Sequence, residues 1–206
     1  GAWRANRRGR ALMARPRGFE PDMALERVMQ AFWAKGYKAT SLDDLCMATG
    51  LSRSSLYSAF GGKRALLHRS LARYEEEAVM RITAALAKPL PIRAAIAGFV
   101  GELIDRIVAG PGRAGCFIGN CAAELAGQDR ATAIRVRQSL ARIEGLFRDA
   151  LAHAQSRGEI AADADVASRS RFLVSGIQGL RLVGKANPDR AALTDIAAVM
   201  LRCLDR

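Results

Sequence analysis

The spacing of apolar residues is the feature of this sequence that most limits its fold. Almost every long segment repeats apolar residues at helical intervals, and no segment sustains the alternation that is typical of a strand. The helical pattern extends from "PDMALERVMQAFWAKG" near the N-terminus to "LTDIAAVMLRCL" near the C-terminus. The sequence therefore predicts an all-α protein.

The first two helices have recognisable ends. Pro21 suits a first helical turn and Gly36 suits a C-terminal cap, so helix one is expected between them. Ser41 is followed three residues later by Asp44, which is close to a capping box and predicts the start of helix two. Gly50 suits the left-handed turn that would end helix two.

A third helix, "LSRSSLYSAF", follows after a short turn that contains a glycine, and this arrangement predicts a helix-turn-helix. Ser52 is the predicted N-cap, and Leu56 and Phe60 are predicted to face the core. The second helix of such a motif enters the DNA major groove, where arginine can pair with guanine and serine can bond bases or phosphates. The alternative is a packed helix pair with a solvated polar face. The residues of that face are Arg53, Ser54, Tyr57 and Ser58.

The distribution of charge favours the DNA-binding alternative. The 206-residue chain has a formal net charge of +12. Residues 1–74 carry 14 Lys and Arg against 5 Asp and Glu, whereas residues 75–206 carry 18 against 15. This asymmetry indicates a module that binds a polyanion, either nucleic acid or anionic lipid, followed by a nearly neutral body.

The N-terminal third of the chain resembles a known family. The segment "GFEPDMALERVMQAFWAKGYKATSLDDLCMATGLSRSSLYSAFGGKRALL" is similar to the N-terminal domain of TetR-type transcriptional regulators. The shared pattern includes G-[YF]-x-x-[TS]-[ST], then G-[VL]-S-[KR]-x-[ST]-[LIF]-Y-x-x-F, and a lysine that opens the fourth helix. Gly61-Gly62 departs from it, because many relatives have a proline and a capping serine or asparagine there.

The resemblance implies a fold and a function. It implies a three-helix helix-turn-helix DNA-binding domain, followed by a helical domain that binds an unknown small-molecule effector and forms a homodimer. The dimer would bind a palindromic double-stranded DNA operator, and repression is the usual mode. We divide the chain into a basic arm at 1–18, the DNA-binding domain at 19–64, and the effector-binding and dimerisation domain at 65–206.

The resemblance also assigns roles to single residues. Thr40 and Ser41 would contact phosphate, as would Lys63, and Arg15 and Arg17 of the arm would enter an adjacent minor groove. The alternative for the arm is a solvated tail. In the third helix, bases would be read by Arg53, Ser54 and Ser58, and the remaining DNA-contacting residues would be Ser52, Ser55 and Tyr57.

The start of the chain carries a separate expectation. "MARPRGFE", beginning at Met13, is similar to the usual start of these regulators. Residues 1–12 are therefore candidates for a non-native start.

The last two helices are predicted to form a dimer interface. "VASRSRFLVSGIQGLRLVG" and "LTDIAAVMLRCL" each carry an apolar stripe, and two such helices from each chain would build a four-helix bundle across a two-fold axis. The alternative is an intrachain core. The predicted interface residues are Leu173, Gly176, Ile177, Leu180, Leu193, Ile196, Met200 and Leu204.

An effector pocket is expected from the resemblance alone. Its apolar candidates are Phe99, Leu103, Phe117 and Phe147, which could equally be plain core. Cys116 is a further candidate because "PGRAGCFIGNCAAEL" looks like a segment from one branch of the family, some members of which sense oxidants or electrophiles through cysteine. A thiol-based repressor that uses Cys116 is therefore the alternative function, and a small apolar filler is the alternative for the residue.

Other function classes find little support in the sequence. It has no glycine-rich phosphate loop and no nucleophile elbow, and its two histidines lie far apart, so we predict no enzyme, cofactor or metal site. The four cysteines form no CxxC pair and are expected to be reduced. The longest stretch without charge is ten residues, against the roughly 20 that a membrane helix needs. Without an apolar segment behind the basic N-terminus, we expect a cytoplasmic protein.

Overall fold

The structure is a computed structural model that describes residues 20–205. The described residues form nine α-helices and one short 3-10 helix, and no strand occurs among them, so the all-α prediction is confirmed. No helix in this part of the chain is both long and apolar enough to span a bilayer. The helices are α1 (Pro21–Lys35), α2 (Leu42–Thr49), α3 (Arg53–Phe60), α4 (Lys63–Leu86), α5 (Ile92–Ala109), α6 (Phe117–Leu125), α7 (Arg130–Ser156), α8 (Val166–Ala186) and α9 (Arg190–Leu201), followed by the 3-10 helix (Arg202–Leu204).

The first three helices end where the capping pattern predicts. Pro21 opens α1, and the capping box of α2 is complete. The Ser41 hydroxyl accepts the Asp44 N–H at 3.0 Å, and the Asp44 carboxylate accepts the Ser41 N–H at 2.7 Å. Gly50 takes the left-handed conformation after α2 with φ of 72°, which allows the chain to turn at once into the next helix. Ser52 caps α3 by accepting the backbone N–H three residues on, at 3.2 Å.

A small core holds α1, α2 and α3 together as a head. Val28, Phe32, Leu45, Leu56 and Phe60 are all buried, and they come from all three helices. Burial of side chains of this size contributes roughly 1.5–3 kcal/mol each. Because these residues fix one face of α3 inward, its polar face must lie outside.

Helix α4 connects this head to the rest of the chain, called the body below. It runs without a break from Lys63 to Leu86, and it packs against α1 at one end and against α5 and α7 in the body. Helix α8 packs mainly against α7 and α9, and α9 also packs against α5. Helix α6 lies against α7 and α4. Helix α4 therefore packs against both the head and the body.

One buried acidic residue ties α4 to α7. Glu75 is only 2% exposed, and its carboxylate accepts bonds from Arg135 Nη2 at 2.7 Å, Arg142 Nη1 at 2.8 Å and Ser139 Oγ at 2.5 Å. Burial opposes ionisation of Glu75, but the bonds from Ser139 and Arg142 and the charges of both arginines hold its pKa below the ordinary value. The carboxylate therefore stays ionised in the core.

Candidate functional site

The polar face of α3 projects from the head into solvent. Arg53, Ser54, Tyr57 and Ser58 are exposed, whereas the core residues of the same helix are buried. The Ser54 and Ser55 hydroxyls each lie 2.9 Å from the Ser52 hydroxyl, at the helix end where the dipole is positive. This end of α3 thus presents several hydroxyl groups and one guanidinium to an approaching anion.

Arg53 already holds an acidic partner in the free protein. Its Nη2 lies 2.7 and 2.8 Å from the two carboxylate oxygens of Asp43, and its Nε lies 3.1 Å from one of them. The hydrogen bond and charge of Asp43 raise the pKa of Arg53. An exposed pair of this kind contributes little to stability, so a guanine edge or a phosphate can replace Asp43 as the acceptor. Asp43 was not predicted, although it lies in the acidic first turn of α2.

The structure contradicts the predicted phosphate contact of Thr40. This residue is fully buried, and its hydroxyl donates to the Gly36 carbonyl at 2.6 Å. The hydroxyl is therefore used to close the turn between α1 and α2, and it does not face solvent. Ser41 is exposed, but its amide and its hydroxyl both bond to Asp44.

Lys63, another predicted DNA contact, lies at the edge of the head. The Lys63 ammonium sits 4.4 Å from the centre of the Tyr37 ring, a cation–π arrangement that holds it at the start of α4. Arg15 and Arg17 fall outside the described residues. The cap of α4 at Gly62 makes no side-chain hydrogen bond, in keeping with the departure from the family pattern.

Helix α6 binds the head through a single carboxylate. Glu124 accepts the Tyr37 N–H at 2.9 Å and the Lys38 N–H at 2.6 Å, and the Lys38 ammonium donates to Gln128 at 2.5 Å. The two amides belong to the turn between α1 and α2, which leads directly into the helix-turn-helix. Glu124 therefore joins the last turn of α6 directly to the head.

The N-terminal end of α6 borders a cavity in the body. Cys116 caps this end, where its sulfur accepts the Gly119 N–H at 3.4 Å. The cavity measures only about 20 Å³, which is room for about one water molecule. Three predicted effector residues line it, namely Phe99, Cys116 and Phe147. The other lining residues are Tyr74, Ala78, Ile82, Ile143, Val174, Ile177, Gln178 and Arg181.

Two predicted effector residues lie elsewhere. Leu103 and Phe117 are both about 1% exposed and do not line the cavity. Phe117 instead packs edge-on against Tyr74, with the ring centres 5.8 Å apart. Both side chains belong to the packed core around the cavity, which was the alternative for these residues. Within residues 20–205, no group of three or more His, Cys, Asp or Glu side chains could hold a metal ion.

Comparison with known proteins assigns this architecture to a family. Residues 25–69 match the family described as bacterial regulatory proteins, tetR family, and residues 93–200 match the tetracyclin repressor-like C-terminal domain. The HTH-type transcriptional repressor ComR of Escherichia coli (strain K12) is 31% identical over 189 residues, which cover 91% of this chain and 90% of ComR. The chain belongs to the TetR family of DNA-binding transcriptional regulators. The family resemblance of the N-terminal third is thus confirmed.

Two further TetR-family relatives span nearly the whole chain. The uncharacterized regulator YezE of Bacillus subtilis (strain 168) is 30% identical over 195 residues, covering 94% of this chain and 100% of YezE. A solved CifR cysteine mutant, in complex with 26-bp double-strand operator DNA, has a TM-score of 0.81 and 29% identity, and the match covers 91% of this chain and 98% of CifR. The similarity therefore includes both the head and the body.

In this TetR-family chain, most of the predicted interface stripe faces inward. Six of the predicted residues are buried within the single chain, because α8 packs on α7 and α9 through this face. Gly176 lies against the Met200 side chain, so that a Cβ there would collide with the thioether. These residues form the intrachain core, which was the alternative to an interface. The six are Leu173, Ile177, Leu180, Leu193, Met200 and Leu204.

The opposite face of α8 and α9 is apolar and exposed. It contains Ile196, which was predicted, and two residues that were not, Phe172 and Val199. A groove of about 450 Å³ runs between the two helices on this face, and Phe172, Ile196 and Val199 contribute to its apolar lining. The predicted interface residues Gly176 and Met200 also border this groove. We call this surface the outer face. Its exposed apolar residues are Phe172, Ile196 and Val199.

The Glu124 contact can be tested directly. We expect Glu124→Ala to lower the free energy of unfolding by roughly 1–3 kcal/mol, because it removes a charged acceptor from two backbone amides. Hydrogen exchange at the Tyr37 and Lys38 amides should also become faster. Glu102→Ala is the control, since Glu102 is exposed and bonds only the Lys88 ammonium, at 3.0 Å. Unchanged exchange at both amides in Glu124→Ala would contradict the proposed contact.

Proposed function

We propose that the protein is a dimeric repressor that acts on DNA in the cytoplasm, has no catalytic step, and leaves its operator when a small molecule enters the body cavity. The observation that carries the proposal is the exposed polar face of α3, with Arg53 at its N-terminal end. The complex of CifR with operator DNA supports the same role for this chain. A helix placed in this way reads base edges in the major groove.

Different residues of the head would contact different parts of the DNA. Arg53, Ser54 and Ser58 would read bases, while Tyr57 would contact the backbone or a thymine methyl. Phosphate would be held by Lys63, and Arg15 and Arg17 would enter the minor groove, which adds affinity without much sequence information. Ser52 and Ser55 would mainly order the start of α3.

The outer face of α8 and α9 would form the dimer interface. A contiguous apolar surface that is exposed on a folded chain is typical of a protein interface. A Cβ at Gly179 would meet no atom within 4 Å, so a partner helix can approach closely there. A two-fold axis through this face would pair two heads, as a palindromic operator requires.

Selection from random-sequence DNA tests the proposal. We expect the wild type to enrich a palindrome, with affinity that falls steeply as salt increases. Arg53→Ala should weaken operator binding by roughly tenfold to a hundredfold, because it removes a bidentate base contact, and Tyr57→Ala should weaken it too.

Arg93→Ala is the matched control for this test. Arg93 is also an exposed arginine paired with an aspartate, Asp205, at 2.8 Å, but it lies in the body. The control should bind the operator like the wild type. Enrichment of no palindrome, or equal loss in Arg53→Ala and Arg93→Ala, would contradict the assignment of α3 as the reading helix.

A thiol switch is the second candidate, and the position of Cys116 favours it. This residue borders both the internal cavity and an open groove of about 250 Å³ between α6 and α8. Burial raises the pKa of Cys121, the other thiol of α6, to about 12, which makes it a poor nucleophile near neutral pH. A peroxide could oxidise Cys116 to a sulfenic acid with release of water.

The thiol candidate predicts a separation of two activities. Cys116→Ser should bind the operator as the wild type does, but hydrogen peroxide should no longer release it. Cys203→Ser is the control, since Cys203 is a half-buried thiol far from α6 in the chain, and it should leave release intact. Release of Cys116→Ser at the wild-type peroxide concentration would eliminate this candidate.

A further inference from the structure

The body cavity has apolar walls and one cation. Arg181 of α8 lines it with only 9% of its surface exposed, among neighbours that include Phe99, Ile143 and Phe147. Among residues 20–205, no Asp or Glu oxygen lies within 4.0 Å of the Arg181 guanidinium. The guanidinium is thus a buried charge without a counter-ion.

Within the described part of the chain, the side-chain hydrogen-bond partner of the Arg181 guanidinium is neutral. Its Nη1 donates to the Tyr74 hydroxyl at 2.9 Å. Burial raises the pKa of Tyr74 to about 12, so the phenol carries its proton at physiological pH. A guanidinium has five N–H donors, and a single neutral oxygen does not compensate for its removal from water. The Tyr74 hydroxyl also interacts with the Cys116 side chain and the Phe117 backbone, so an anionic ligand would replace the thiol as the acceptor of its proton.

Neighbouring arginines add to the positive charge. Arg106 of α5 has its pKa lowered, first by burial and then by the charges of Arg81 and Arg181. Three helices therefore bring guanidinium groups close enough to repel one another. Glu77, 3.8 Å from Arg81, and Glu102, whose charge acts on Arg106, offset part of this positive charge. Among residues 20–205, no carboxylate pairs with Arg181 itself. The electrostatic potential inside the cavity favours an anion.

We propose that the effector of this protein is a small organic carboxylate, bound in the body cavity through Arg181. The inference rests on the repressor function proposed above. The carboxylate pairs with the Arg181 guanidinium and accepts the Tyr74 hydroxyl proton, and the apolar part of the molecule lies between Phe99 and Phe147. Arg–carboxylate pairing is geometrically specific and strengthens in an apolar setting.

The small size of the cavity links binding to a change of structure. A volume of about 20 Å³ does not admit even a small carboxylic acid, so the ligand must displace the walls. Cys116 is one of these walls, and it caps α6, whose last turn contains the Glu124 carboxylate that holds the head. Ligand entry therefore favours a body in which α6 has moved and the head has lost its present position.

Direct binding to the full-length protein without DNA tests the ligand class. The probes are benzoate, phenylacetate and hexanoate, each compared with its neutral amide by calorimetry and thermal unfolding. We expect at least one carboxylate to bind and to raise the melting temperature, and its amide to bind at least tenfold more weakly. Arg181→Met should lose at least tenfold in carboxylate affinity, and Tyr74→Phe should lose severalfold.

Two further variants make the result specific. Arg181→Lys keeps the positive charge but loses the paired N–H donors of the guanidinium. It should therefore bind the carboxylate with intermediate affinity. Arg171→Met is the matched control on the same helix, because Arg171 is exposed and pairs with Glu144 at 3.3 Å; it should bind like the wild type. Arg181→Met removes an uncompensated buried charge, so it should fold at least as stably as the wild type without ligand.

Three results would overturn the proposal. They are equal binding of a carboxylate and its amide, wild-type carboxylate affinity in Arg181→Met, and no binding of any of the three carboxylates at millimolar concentration. Operator binding is measured separately on the unliganded protein. Loss of operator binding with intact carboxylate binding would refute the repressor function alone, and the reverse would refute the ligand class alone.

Discussion

Glu75→Ala is expected to lower the free energy of unfolding by about 3–5 kcal/mol, the range found when one partner of a buried ion pair is removed. The substitution leaves the Arg135 and Arg142 guanidinium groups and the Ser139 hydroxyl without their shared acceptor. For a chain of this size the melting temperature should fall by roughly 6–20 °C. Urea unfolding followed by circular dichroism measures the loss, and an unchanged m-value shows that it is a loss of stability.

The effect of Glu75 should also depend on pH. Because its pKa is lowered in the folded state, the stabilisation is fully present above the ordinary carboxyl pKa of about 4.3, and it is lost as the pH falls through the lower folded-state pKa. The difference between wild type and Glu75→Ala should therefore be constant near neutral pH and shrink in acid. Glu144→Ala removes a partly exposed carboxylate paired with Arg171 and should cost far less. A pH-independent difference would show that Glu75 acts through packing alone.

Val199→Glu is expected to convert the dimer into monomers and to weaken operator binding by more than about a hundredfold, because linked half-site binding multiplies affinity by factors of that order. Val199 is 59% exposed within one chain and lies at the apolar groove of the outer face. A glutamate there would be buried without a partner in the dimer, whereas it would be solvated in the monomer. Sedimentation measures the mass, and titration of a labelled operator measures the affinity.

Met80→Glu is the matched control for Val199→Glu. Met80 is a comparably exposed apolar residue at 62%, but it belongs to α4 and not to the outer face. It should remain dimeric and should bind the operator normally. If Val199→Glu sediments as a dimer, the interface does not lie on the outer face. If both variants dissociate, the loss of the dimer cannot be assigned to the outer face.

The head could be predicted from sequence because its signals are local. Capping residues and core positions lie within a few residues of the helix they control, as with Ser41 and Asp44. Thr40 shows where this reasoning fails. A family pattern identifies a hydroxyl at the start of α2, but only the folded turn shows that the hydroxyl is already bonded to the Gly36 carbonyl.

The body was harder to predict, because its important contacts join distant parts of the chain. Helix α8 has apolar residues on two sides, and the more regular helical spacing belongs to the face that packs inside the chain. The stripe through Leu173 and Leu180 was therefore assigned to a second subunit, whereas both residues are buried within one chain. Glu124 bonds amides 86 and 87 positions away, which no local pattern indicates. A charged residue at the edge of an apolar stripe, Arg181, was the one available sign of a polar group in the cavity.

The unbroken course of α4 has a mechanical consequence. Its 24 residues make a rod of about 36 Å, at about 1.5 Å per residue. Tyr74, Ala78 and Ile82 place the cavity along its second half, and the reading head sits at the other end. A tilt of about 9° at Ala78, which lies about 22 Å along the rod from Lys63, would move that end by about 3.4 Å, the spacing between successive bases of a strand. A lever of this length would turn a displacement at the cavity into an error of one base pair, which in the proposed complex would put Arg53 opposite the wrong base.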